Sequence, residues 1–277
     1  MRLPTTTVQL LFLATLVVGL TGCSTLQPPD PNGPRNESTY PPLYTTDDVR
    51  RNAVDSTLNR FILPPNTQTD PELDPITLTL KNLGLSRAAT LFLPKLGTAA
   101  VMTEEETRES LRRFIREWQD LIGSDPGKLS LVARVDQPDG IKLATYEQRP
   151  FRYPIRGDFG KLEIRFTNER RVVSMSSTCV PNADRVQAAL SAVSPKLKPE
   201  DAIAQLINNP IGASGAQSAF SVQASQATPR ELVTYVRPSA SNAEALEFHL
   251  AWELEVRNAP VQRVYVDALN GEIIAAR

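Results

Sequence analysis

The chain has 277 residues, with 30 basic and 31 acidic side chains interspersed along it and a formal net charge of −1. No basic tract is present to hold nucleic acid. One histidine and two cysteines rule out a metalloprotease zinc site, which needs two histidines one helical turn apart.

The start of the chain carries the clearest signal. Met1-Arg2 gives a short positive start, and residues 10–20 form an apolar run too short to span a bilayer as a mature helix. Small residues then lead into Cys23, which is the layout of a secretory signal. Leu20-Thr21-Gly22-Cys23 resembles the lipobox of bacterial lipoproteins. That resemblance implies cleavage after residue 22, lipidation of Cys23 by diacylglycerol and an N-acyl chain, and the membrane as first partner. At ~0.8 kcal/mol per buried methylene, two or more acyl chains make a stable anchor. Ser24 follows, where an aspartate commonly retains lipoproteins at the inner membrane. In a cell with two membranes this favours the outer one, facing the periplasm.

Residues 23–44 hold six prolines and almost no aliphatic side chains, so an extended tether is expected. Asn36-Glu37-Ser38 spells a glycosylation acceptor but reads as tether sequence. With Cys23 lipidated, Cys179 has no partner, and the fold contains no disulfide.

In residues 45–102, Thr46-Asp47-Asp48 caps a helix with Val49, Ala53, Leu58, Phe61 and Ile62 on one side, ended by Pro64-Pro65. Ile76, Leu78 and Leu80 alternate with threonines as a strand would, and residues 88–93 offer another. Residues 103–180 follow as a first module. Thr103-Glu104-Glu105-Glu106 is a capping box. Leu111, Phe114, Ile115, Trp118, Leu121 and Ile122 form one helical stripe up to Gly123. Strands are expected at Leu129, Leu131, Ala133 and Val135, at Ile141 and Leu143, at Leu162, Ile164 and Phe166, and at Val173 and Met175. Period-two alternation predicts an antiparallel sheet with one wet face.

A connector, residues 181–197, holds a short helix at 184–192. The pattern then repeats over 198–277: a helix opened by Pro199 with Ala202, Ile203, Leu206 and Ile207, then strands at 220–222, 232–236, 246–256, 261–266 and 272–276. The expected fold class is α+β, with two tandem modules that each pack a helix on an antiparallel sheet.

The last forty residues carry a family resemblance. Leu250-Ala251-Trp252-Glu253-Leu254-Glu255-Val256 and then Tyr265-Val266-Asp267-Ala268-Leu269-Asn270-Gly271-Glu272-Ile273-Ile274 look like the closing hairpin of a PepSY-type domain. Trp252, Tyr265, Asp267, Asn270 and Gly271 are its signature positions, and Asn270-Gly271 suits a turn needing positive φ. Residues 148–157, Gln148-Arg149-Pro150-Phe151-Arg152-Tyr153-Pro154-Ile155-Arg156-Gly157, resemble a stretch in the propeptides of thermolysin-like metalloproteases. Together the resemblance covers 103–277. It implies a non-enzymatic role: binding or restraining a peptidase or another envelope protein, with no cofactor and no metal, although such propeptides precede a zinc peptidase domain and this sequence ends at Arg277. The alternative is a structural or assembly scaffold of the envelope.

Residue by residue, catalytic readings fare poorly. His249 lies on the same strand face as Glu247 and Glu253, opposite Phe248, Leu250, Trp252 and Leu254, and reads as a solvated histidine rather than a pH sensor. Cys179 reads as a buried thiol rather than a nucleophile. Arg149, Phe151, Arg152, Tyr153 and Arg156 interleave cations and aromatics in a loop. That suits a partner-binding surface, or a proline-stiffened crossover whose aromatics tuck into its own module.

Overall fold

The computed structural model describes residues 40–61, 71–83, 91–98, 101–212 and 220–277, all within one compact unit, Asn36–Arg277. The lipobox, Cys23 and the tether up to residue 39 lie outside the described residues. The fold class is α+β. Among the described residues no helix is long and apolar enough to cross a membrane.

Helix α2, Glu104–Glu117, starts as its sequence dictates. Glu106 donates its backbone N–H to the Thr103 hydroxyl at 3.2 Å, and the Glu106 carboxylate accepts the Thr103 N–H at 2.8 Å. After a break at Trp118, a further turn, α3 (Gln119–Ile122), ends at Gly123. The whole apolar stripe from Leu111 to Ile122 is buried. It packs on a four-stranded antiparallel sheet ordered β4-β5-β7-β8, built from Leu129–Asp136, Ile141–Gln148, Lys161–Thr167 and Val172–Ser177. Ala144, Tyr146, Leu162, Ile164, Phe166, Val172 and Met175 face the helix.

Two details depart from simple alternation. A bulge at Val132 interrupts β4, so Leu129 and Leu131 lie opposite Gln148 and Tyr146 on the helix side, while Ala133 and Val135 lie opposite Thr145 and Leu143 on the other. In β8 the buried pair is Val172 and Met175 rather than Val173 and Met175.

Residues before Thr103 belong to this core, through Val54, Leu80, Leu83 and Leu93. Helix α1, Asp48–Phe61, is rotated from the expected stripe: Val49 is 78% exposed, and Arg50, Val54 and Thr57 face inward. Polar anchors cause this. The Arg50 guanidinium donates to the Thr77 and Leu78 carbonyls at 3.3 and 3.2 Å, and the Thr57 hydroxyl donates to Asp120 at 2.9 Å. The strand expected through Ile76 and Leu78 is instead a turn between short strands β2 (Glu72–Leu73) and β3 (Leu80–Asn82). The Asp74 carboxylate captures the N–H groups of Ile76 and Thr77, both at 2.9 Å, a local bond that outcompetes strand pairing. Leu91 and Leu93 bond to Val172 and Arg170 beside β8.

The second sheet is six-stranded and mixed. Its path is β12-β11-β10-β9-β6, with β1 added beside β10. Strands β9 (Ala227–Pro238), β10 (Ala245–Val256), β11 (Arg263–Asp267) and β12 (Ile273–Ala276) form an antiparallel meander. Strand β6, Ile155–Gly157, comes from within residues 103–180 yet pairs with β9, and it does so in parallel. Strand β1, Leu43–Thr45, begins in the segment expected to be tether and pairs antiparallel with the start of β10. One face of the sheet is covered by α4 (Ala183–Ser191) through Ala183, Val186 and Leu190, and by α5 (Pro199–Asn208) through Ala202 and Leu206.

The sheet is curled. Four inter-strand steps of ~4.8 Å would put β6 and β12 roughly 19 Å apart if flat. Yet Arg277, just past β12, grips Asp158, just past β6, with two bonds of 2.7 and 2.8 Å. The curl encloses the face away from the helices around Val233, Tyr235, Ala251, Tyr265 and Ile274.

Candidate functional site

The enclosed face holds a connected cluster of polar side chains. Glu247, His249, Ala251 and Glu253 share it, as strict alternation along β10 requires. The expectation of solvent there fails: His249 is 2% exposed, Glu253 2%, Glu247 8% and Asp267 0%. Alternation assigns residues to faces but does not say which face is wet, and the curl encloses this one.

His249 Nδ1 lies 2.8 Å from Asp267 Oδ2 and its Nε2 3.3 Å from Glu247 Oε2. The Tyr40 hydroxyl donates to the same Asp267 oxygen at 2.8 Å and accepts the Leu250 N–H at 2.9 Å, and its ring meets the imidazole edge-on at 5.9 Å. Asp267 also accepts the N–H groups of Leu269 and Asn270 at 2.8 and 3.2 Å. Glu247 takes Arg237 Nε at 3.0 Å and the Ser239 hydroxyl at 2.6 Å. Arg237 extends the cluster to Glu272 at 3.1 Å.

Burial opposes the charge on Asp267, but the bonds from His249, Leu269 and Tyr40 outweigh it and hold the carboxyl below its ordinary value. Glu247 is likewise lowered, with burial outweighed by Ser239, Arg237 and His249. Burial, and then the neighbouring Asp267 charge, push the Tyr40 phenol well up, so it stays protonated and able to donate. Tyr40 also fills a gap: β11 ends opposite Ala251 and β1 begins opposite Glu247, and the phenol serves β10 between them.

At the opposite end of the same face Arg156 bonds Glu253 at 2.7 Å and Glu231 at 2.6 Å. This settles part of the loop question. Arg156 sits in β6, and Phe151 stacks on Phe248 at 6.1 Å, so both are tucked in, against the second sheet rather than their own. Arg149 is exposed and pairs with Glu147 at 2.7 Å. Arg152 is exposed, with its guanidinium 5.2 Å above the half-buried Tyr153 ring. Those three residues remain available at the surface. Gln148 is buried and ties the end of β5 to the segment after β8: its amide donates to the Val180 carbonyl at 2.8 Å and accepts the Val180 N–H at 2.9 Å.

Of the hairpin positions, Gly271 has φ +78°, and Tyr265 packs on Tyr235 at 4.6 Å. Trp252 is on the helix side as expected but only half-buried, its indole donating to the Leu197 carbonyl at 2.9 Å. Asp267, read as a turn residue, also serves the buried histidine. Cys179 is fully enclosed, and burial pushes its thiol up to about 12. A cleft of ≈ 590 Å³ lies between α1, α3 and the start of α4, with Asp47, Arg50, Asp120 and Asp184 on its walls; Lys128 there pairs with Asp184.

The sequence reading missed Tyr40, Arg237 and Ser239. A trace of the cluster was present: four titratable residues, Glu247, His249, Glu253 and Glu255, alternate along one face of a strand whose other face is wholly apolar. Among the described residues no group of His, Cys, Asp and Glu is placed to hold a metal. Compared with known proteins, the chain matches no family model and no curated protein.

Proposed function

We propose that the chain is an envelope lipoprotein, anchored through Cys23, whose PepSY-like and propeptide-like modules bind or restrain a peptidase or another envelope protein without catalysis. One observation supports this best. The only histidine and Cys179 are both enclosed and committed to internal partners, His249 between two carboxylates and Cys179 among core side chains. The outer surface is then what meets other molecules, and Arg149, Arg152 and Tyr153 stand on it.

The test is co-purification of the tagged full chain from detergent-solubilised membranes after brief cross-linking. A peptidase in the eluate, reduced several-fold by Arg152→Glu, is the expected result. Recovery of envelope-assembly components alone would favour a scaffold and overturn the peptidase reading. The anchor is tested separately: Cys23→Ala moves the protein from the membrane to the soluble fraction, and retention after a salt wash refutes lipidation.

A further inference from the structure

We propose that strand β4 is a self-pairing edge, through which two copies of this chain join their four-stranded sheets into one continuous sheet. The inference stands on the geometry of that strand and is independent of the partner proposed above.

Strand β4 is eight residues long and ends the sheet order β4-β5-β7-β8, so among the described residues one of its sides has no neighbour in the sheet. Long unprotected edges are templates for pairing. It is also apolar: Leu131, Val132 and Val135 are 36%, 44% and 50% exposed.

Which backbone groups point outward follows from the ladder. Arg149 donates to the Lys128 carbonyl at 2.8 Å and Gln137 to the Ile141 carbonyl at 2.7 Å. Antiparallel pairs alternate between bonded and non-bonded. With the register Ser130↔Glu147, Ala133↔Thr145 and Val135↔Leu143, the inward-bonded residues are therefore 128, 130, 133, 135 and 137. Leu129, Leu131, Arg134 and Asp136 aim their N–H and C=O groups away from β5.

Those four positions are symmetric about the bulge. Placed antiparallel to a second copy, Leu129 meets the partner's Asp136 and Leu131 meets the partner's Arg134, and the two-fold repeats both pairs. No other register couples all four outward residues with outward residues. The bulge, which on a lone strand would frustrate a straight partner, here meets its own image.

Side chains agree with the register. Leu129, Leu131, Arg134 and Asp136 all lie on the helix side, opposite Gln148, Tyr146, Ala144 and Lys142. On the other face Ser130 opposes the partner's Val135, and Val132 opposes the partner's Ala133. No like charges meet directly, and the Arg134 guanidinium is already held by Glu104 at 3.6 Å.

An interface of one strand pair falls below about 1,200 Å² and is of the weak, transient size. Cross-linking, which traps such a dimer, is therefore the measurement. Ser130→Cys and Val135→Cys are each made in the full chain, purified in mild detergent. In the proposed register the thiol introduced at position 130 faces the one introduced at position 135 of the second copy, in a non-bonded pair. Like positions are instead five residues apart along the strand, roughly 17 Å, too far for a disulfide. Mixing the two variants under mild oxidation should give a band of twice the monomer mass, at least several-fold stronger than either variant alone. Cys179 is buried, and any contribution from Cys23 is common to all samples.

Equal cross-linking in the mixture and in the single variants overturns the register. No cross-link in the mixture, with a monomeric sedimentation mass for the unmodified chain, overturns self-pairing. Trapping of the Ser130→Cys variant to a different polypeptide in cells, with the chain monomeric, assigns the edge to a foreign strand and also overturns it.

Discussion

Replacing His249 with alanine tests the buried cluster directly. The change removes contacts at 2.8 Å to Asp267 and 3.3 Å to Glu247 and leaves an imidazole-sized hole in a face enclosed by the sheet. Leaving a buried carboxylate charge without any partner costs about 3–5 kcal/mol. Here Asp267 keeps Tyr40 and two backbone donors, and Glu247 keeps Arg237 and Ser239, so neither carboxylate is orphaned. We expect about 2–3 kcal/mol, from lost charge-assisted bonds of ~1.5–3 kcal/mol each, partly offset by relaxation. For a domain of this size that is a fall in Tm of about 4–12 °C. Thermal melting of the full chain at pH 7, with exposed Glu244→Ala as a control inside about 0.5 kcal/mol, reads it. The pH dependence follows from sign. Asp267 and Glu247 are both held below their ordinary values, so their contribution is complete above the unfolded carboxyl range near pH ~4 and is lost as pH falls through the lower folded values. His249 is one cause of both shifts, so the gap between wild type and variant should narrow in acid. A His249→Ala protein that melts with Glu244→Ala at pH 7 would refute the enclosed-face assignment.

Three further outcomes are expected. Tyr40→Phe removes a hydroxyl that donates to Asp267 and accepts from Leu250, and should cost about 2–3 kcal/mol by chemical denaturation; a loss under about half a kcal/mol would mean that this residue is not part of the fold. Gly157→Ala places a Cβ 2.4 Å from the Val236 carbonyl oxygen at φ +103°, so β6 must leave β9; a loss on the order of 3 kcal/mol or more is expected, and protection of the β9 amides from exchange should fall with it. Cys179 should resist alkylation at pH 8 in the native protein and react on denaturation, because its thiol is enclosed and burial pushes it up to about 12; rapid native labelling of the Cys179 peptide would contradict its burial.

What the sequence made legible was local. The capping box at Thr103, the stripe from Leu111 to Ile122, the positive-φ glycine at 271 and the long strands of the final meander are each set by neighbours within a few residues, and they stand where pattern places them. The misses share one cause, which is that a distant partner changes the meaning of a local pattern. Val49 reads as core because it is apolar, but Arg50 finds carbonyls at residues 77 and 78 and turns α1 around. Val135 sits at a period-two position, yet the unpaired residue at Val132 moves it to the far face. The Pro-rich loop reads equally well as surface or crossover, and only β9, nearly eighty residues later, makes Ile155–Gly157 a strand. Alternation puts His249 on the right face, but the enclosure of that face depends on Arg277 reaching Asp158, a closure with no periodic signature.

The seam at Tyr40 bears on the order in which the molecule assembles. During synthesis Tyr40 emerges early, but its hydrogen-bond partner Asp267 lies 227 residues further on, and the partners of β1 in β10 are about as distant. The sheet around α2 has only neighbouring hairpins to form and can condense while the rest is still arriving. The second sheet depends on its last strands: β1 docks on β10, and His249 finds Asp267 only once β11 is in place. The first sheet is thus closed by neighbours in sequence, and the second by contacts that span more than two hundred residues.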